Sequence, residues 1–95
     1  MNLTASQRET IRLCALRHLD ALRTGARFGI GTAVLLQLIR SEGFRELTAP
    51  DLEAELQYLA DKGLIEDAVK LVSPENRNWR ITATGRDHYA QLSNE

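Results

Sequence analysis

"LTAPDLEAELQYLADKGLIE" runs from Leu47 to Glu66 and contains the best-marked helix of the chain. Thr48 has the side chain of an N-cap, and Asp51, three residues on, completes a capping box. Pro50 stands in the first turn, where its missing amide costs nothing. Leu47 and Leu52 have the spacing of a hydrophobic staple. Leu52, Leu56 and Leu59 recur on one side as a narrow inward stripe. Gly63 is suited to end the helix in a left-handed conformation. The spacing therefore predicts a helix over about Ala49–Lys62, with a strand beginning at Leu64. The stretch is acidic: Asp51, Glu53, Glu55, Asp61 and Glu66, with Glu46 just before it, stand against Lys62 alone.

Downstream, Leu64 to Val72 reads as a strand, Ser73–Asn78 as a turn and Trp79–Thr82 as the return strand. Trp79 and Ile81 alternate with Arg80, so the first two share a face. Thr82 is placed to cap a last helix over about Ala83–Leu92. Upstream, Val34, Leu35, Leu38 and Ile39 give a helix over about Thr32–Glu42, with Gly43 to end it. The segment from Thr24 to Gly31 holds three glycines and reads as a loop. Before it, a helix from about Thr4 to Leu22 is capped by Thr4 or Ser6. Ile11, Cys14, Ala15, His18 and Leu22 share one of its faces, and Leu13, Leu16 and Leu19 broaden that face. So wide an apolar face implies deep burial or a partner subunit.

Two phrases extend this reading. "ADKGLIE" (Ala60–Glu66) resembles the junction between reading helix and wing in the MarR, PadR and ArsR-like groups. "WRITATGRDHY" (Trp79–Tyr89) resembles the phrase by which the returning wing strand enters the next helix: an apolar residue, Thr, two variable residues, Gly and a basic residue. Here these are Ile81, Thr82, Ala83, Thr84, Gly85 and Arg86. Over about residues 30–90 the chain thus resembles the winged helix-turn-helix domain, including small phage and bacterial proteins of that type. The resemblance implies a mainly α fold with a small β-hairpin: a three-helix core, a two-stranded wing and a short C-terminal helix. It also implies DNA binding and transcription regulation.

Composition sets limits. Ninety-five residues allow one domain, 1–95, with 43% hydrophobic and 26% charged residues, as in ordinary globular proteins. A net charge of −1 gives little overall attraction to a polyanion. The charge is uneven, however. Met1–Glu42 has six basic residues against three acidic, Gly43–Asp67 two against seven, and Ala68–Glu95 four against three. One cysteine allows no internal disulfide. No apolar run opens the chain as in a signal peptide, and none approaches the ~20 residues of a membrane helix. A cytoplasmic protein with no membrane contact is expected.

In the winged helix family the outward face of the third helix enters the major groove. Opposite the Leu52/Leu56/Leu59 stripe lie Pro50, Ala54, Gln57, Tyr58 and Asp61, with Glu53 and Glu55 on the flanks. Gln57 suits an adenine edge, Ala54 a thymine methyl and Tyr58 a phosphate. DNA-contacting residues are expected to be Pro50, Ala54, Gln57 and Tyr58 on the helix and Lys70, Arg77 and Arg80 on the wing, with Arg77 near its tip. The helix lacks cations, and carboxylates near phosphates oppose binding. Acidic residues also suit the early turns of a helix by its dipole, which alone would account for Asp51 and Glu53. Two partners follow: double-stranded DNA, or alternatively a basic protein surface bound by the acidic face. With the DNA-binding reading, a homodimer through the broad apolar face of helix 1, with the last helix and Tyr89, is expected.

Other chemistry has little support. Cys14 and His18 are four apart on one helix, as metal ligands can be, but a site needs three or four. No metal or other cofactor is expected. Gly29-Ile30-Gly31-Thr32 lacks the third glycine of a phosphate loop, since Val34 occupies that place, and reads as a flexible connection. No nucleophile motif accompanies either histidine, so an enzyme is not expected.

Overall fold

The computed structural model describes residues 2–25, 28–68 and 77–93. It is mainly helical, with a small three-stranded antiparallel sheet. In chain order the elements are α1 (Ala5–Ala21), β1 (Ile30–Gly31), α2 (Thr32–Ser41), α3 (Ala49–Asp61), β2 (Ile65–Asp67), β3 (Asn78–Ile81) and α4 (Ala83–Ser93).

The predicted helix ends have physical counterparts. Thr48 accepts from the Asp51 amide and Asp51 accepts from the Thr48 amide, so both arms of the box are present. Thr4 forms the same box with Gln7 at the start of α1. Gly43 and Gly63 take φ of 126° and 76° just beyond α2 and α3, where a side chain would be strained. Arg40 Nε donates to Leu47 O (2.7 Å) and ties the α2–α3 turn to the end of α2. Leu47 and Leu52 are both fully buried.

The sheet corrects the expected two-stranded wing. Its order is β1-β3-β2. Ile30 and Gly31 lie opposite Trp79 and Asn78, while Ile65, Glu66 and Asp67 lie opposite Ile81, Arg80 and Trp79. The glycine-rich segment read as a flexible connection therefore ends in a strand. Gly29 is what lets it approach: at φ +82°, an added Cβ would lie 2.7 Å from Trp79 O and 2.5 Å from Ala68 Cβ. The strand expected beyond Ala68, with Lys70, and the turn expected up to Asn76 fall on residues outside those described.

The core gathers Ile11, Ala15, Leu16 and Leu19 of α1, Leu35, Leu36 and Ile39 of α2, and Leu52, Leu56 and Leu59 of α3 against the sheet. The face expected on α2 is corrected: Leu36 is buried, whereas Val34 is 53% exposed and Leu38 only half-buried. On α1 the width of the apolar face is not all burial, because Leu13 and Leu22 remain exposed. Trp79 and Ile81 face inward with Arg80 outward, as the alternation predicts. Trp79 fills the centre, and its Nε1–H donates to Thr32 Oγ1 (3.0 Å).

The entry into α4 explains its sequence phrase. The Thr82 amide donates to Leu64 O (3.0 Å), and its hydroxyl donates to Gly63 O (2.7 Å) and accepts from the Gly85 amide (3.0 Å). A Cβ at Gly85 would lie 2.0 Å from Leu64 O. Threonine and glycine thus lock the helix onto the start of β2. No helix among the described residues is long and apolar enough to cross a membrane.

Candidate nucleic-acid interface

α3 is docked through its leucine stripe, which leaves the opposite side open. Pro50, Ala54, Gln57, Tyr58 and Asp61 are all exposed there. These expected residues do lie together on one helix face, but their neighbours divide them. Pro50 and Ala54 border a shallow depression shared with Leu3 and Arg8 of the N-terminal segment. Tyr58 leans toward α1, with the Arg12 guanidinium 4.2 Å above its ring and Lys62 Nζ at 5.6 Å. Gln57 faces the sheet. Its Oε1 accepts from Arg77 Nη1 (2.9 Å) and its Nε2 donates to Asp61 Oδ1 (2.9 Å).

Part of the acidity of this stretch is offset within the fold. Glu55, expected on an exposed flank, is 8% exposed and lies against α1. There its Oε1 is 3.1 Å from Arg12 Nε. The two are off the line of a hydrogen bond, so the contact is an ion pair. Asp51 belongs to the cap. The Thr48 hydroxyl donates to its Oδ2 (2.7 Å) and holds the carboxyl below its ordinary value, helped by the Thr48 amide and distantly by Arg8. Glu66 accepts from Arg80 Nε (2.8 Å), and Asp67 lies 3.6 Å from Arg77 Nε. Among the described residues, Glu46, Glu53 and Asp61 have no cationic partner. The net repulsion of the face is therefore smaller than the sequence implies.

The missing cations are supplied by other elements. Arg8 and Arg12 come from α1, one helical turn apart and on the side that packs toward α3. Lys62 follows the end of α3, and Arg77 and Arg80 come with β3. Sequence reading missed Arg8 and Arg12 as neighbours of this face. The available signal was their four-residue spacing on the same side of the helix as Ile11 and Ala15. Arg77, expected near the hairpin tip, stands instead at the sheet. Its carbonyl accepts from the Thr32 amide (3.4 Å), and its guanidinium lies 5.0 Å from the Trp79 ring centre.

A cleft of about 480 Å³ opens where α1, the end of α3 and α4 converge. Leu13, Tyr58 and Leu92 line it and are all exposed large side chains. Tyr89, expected on the same surface, instead packs half-buried against the core. Cys14 and His18 are half-buried on α1. His18 Nε2 meets the carboxylate of Glu42, which Arg17 also engages. Burial and then Arg17 push His18 below its ordinary value. Among the described residues, no three His, Cys, Asp or Glu side chains gather as a metal site requires.

Comparison with family models, curated proteins and solved structures found no match to the chain.

Proposed function

We propose that this chain is a winged helix DNA-binding domain acting as a transcriptional regulator. α3 would lie in the major groove, and the hairpin would follow the backbone or the minor groove. The observation that supports the reading most is the surface of α3 itself. Its outward side is exposed and largely uncharged, while Glu55, the carboxylate nearest its middle, is turned inward and paired with Arg12. Pro50, Ala54, Gln57 and Tyr58 are the residues proposed to meet bases and phosphates. Arg80 is proposed to meet the backbone, together with Lys70 in the stretch outside the described residues. The order of elements supports the reading: α1 and β1, then α2 and α3, then the β2–β3 pair and α4, with β1 completing one three-stranded antiparallel sheet.

A homodimer is part of the proposal. Leu13 of α1 and Leu92 of α4 expose apolar surface along one cleft, and a two-fold axis along that cleft would cover both copies at once. Two subunits would then read a palindromic site.

A second reading is favoured by one observation. Glu46, Glu53 and Asp61 keep uncompensated charge on α3 and just before it, which suits a basic protein surface. One titration separates the two. The full chain is added to a labelled mixed-sequence duplex of about 30 base pairs at several salt concentrations, where each phosphate contact steepens log K against log[salt] by about 0.9. A slope of several units is expected. Absence of binding at low salt would discard the regulator in favour of the protein-binding module.

A further inference from the structure

We propose that Arg77 and Asp61 are positioning residues that lock the Gln57 amide so that it reads one adenine, an inference that rests on the DNA-binding function proposed above. A glutamine side chain carries two N–H donors and a carbonyl with two acceptor sites. Here Arg77 Nη1 occupies one acceptor site and Asp61 Oδ1 takes one N–H, each at 2.9 Å. One N–H and one lone pair remain, which are the two groups needed to pair with N7 and the amino group of adenine in the major groove.

The neighbours also fix which way the amide points. Turned over, its NH₂ would face the Arg77 guanidinium and its oxygen would face the Asp61 carboxylate, two repulsive contacts in place of two attractive ones. The two partners meet different ends of the amide, Arg77 at its oxygen and Asp61 at its nitrogen. Arg77 is itself held in place. It lies over the Trp79 ring at 5.0 Å, beside Asp67 at 3.6 Å, with its backbone bonded to Thr32. Trp79 is buried in the core, so the orientation of Gln57 is referred through Arg77 to the buried side of the sheet.

An unsupported glutamine on an exposed helix must give up rotamer freedom when it binds, and its amide can present either edge. Gln57 has surrendered that freedom already. The cost is that Arg77 is engaged internally and is not a phosphate or minor-groove contact, although its place beside the hairpin suggests one.

The test begins by selecting duplexes from a randomised library with the full chain. Binding is then measured on four duplexes that differ only at the selected adenine. Wild type should prefer adenine by roughly tenfold or more, and Gln57→Ala should abolish that preference. Arg77→Ala and Asp61→Ala should each reduce it to the Gln57→Ala level while leaving the slope of log K against log[salt] unchanged. Asp61→Asn should keep it, because the new carbonyl still accepts from Nε2. Asp61 is on the surface, so its variants remain informative if Arg77→Ala unfolds the sheet. Undiminished preference in Asp61→Ala would overturn the proposal. So would an equal loss of affinity on all four duplexes in Arg77→Ala with a slope lower by about 0.9, the mark of a direct phosphate contact. No binding by wild type to any duplex would instead overturn the DNA-binding function itself.

Discussion

Along its α1 side, α3 is held by Arg12 and Glu55, whose side chains are 22% and 11% exposed. Across the sheet, Arg80 and Glu66 form a shorter contact, 2.8 Å, yet are 53% and 50% exposed. The shorter pair is the weaker one. Water screens both of its charges and each can be rehydrated when the pair opens. Glu55 has no such escape. If Arg12 is removed, its charge stays in a low-dielectric setting. Burial, more than distance, decides which of these pairs the fold depends on.

The first way to break this contrast is at Glu55. Glu55→Ala should destabilise the chain by about 2–3 kcal/mol, somewhat less than stranding a fully buried charge because Arg12 retains some solvent. Replacing both Arg12 and Glu55 with leucine should recover most of the loss, since paired removal leaves no orphan charge. Urea denaturation of wild type, Glu55→Ala and the double variant tests this. A double variant no more stable than Glu55→Ala would mean that the pair stabilises in its own right.

The second comparison asks whether a neutral buried contact behaves like the buried ion pair. Thr32→Val leaves the Trp79 indole N–H without its acceptor in the core and should cost about 1–3 kcal/mol, with Thr32→Ser costing far less. Equal melting temperatures for the valine and serine variants would show that the hydroxyl is unimportant. On the exposed side, Arg80→Ala should change stability by less than about 1 kcal/mol. It should nevertheless lower the salt slope of DNA binding by about 0.9. A larger effect on stability than that of Glu55→Ala would invert the comparison.

The smallest effects are expected from acid. His18 has its folded pKa below the ordinary 6.5 through burial and Arg17. The unfolded chain therefore takes up this proton first, and stability is full above 6.5 and declines as pH falls through the folded value. Asp51 has its carboxyl held below the ordinary 3.8 by Thr48. Its contribution is present above 3.8 and lost as pH falls through its folded value. Denaturation curves along a pH series should show two separate declines, the first missing in His18→Gln and the second in Asp51→Asn. A first decline that survives in His18→Gln would assign it to another group.

Much of the fold could be read because its signals are local. Thr48, Pro50 and Asp51 act within one turn of the backbone, so their meaning does not depend on what packs against them. Leu52, Leu56 and Leu59 sit among polar residues, and periodicity picks out one face. On α2, Val34, Leu35, Leu36, Leu38 and Ile39 form a nearly unbroken apolar run, so periodicity cannot choose between Val34 and Leu36. Only docking against the rest of the core buries Leu36. β1 was unreadable for a different reason. Two residues beside a glycine carry no alternation, and they form a strand because β3 has an edge for them to meet.

The candidate surface divides in the same way. The exposure of Pro50, Ala54, Gln57 and Tyr58 follows from helix geometry and was legible in the sequence. The inward turn of Glu55, the placing of Arg8 and Arg12 beside α3, and the bond from Arg77 to Gln57 were not, since each joins residues distant along the chain. The sequence alone determined where helices begin and end and which side of α3 is apolar, because caps, glycines and periodic leucines act over a few residues. The tertiary structure decided which charges neutralise one another and which remain for a partner, because Coulomb energy depends on distance through space and on burial, and the packed fold sets both.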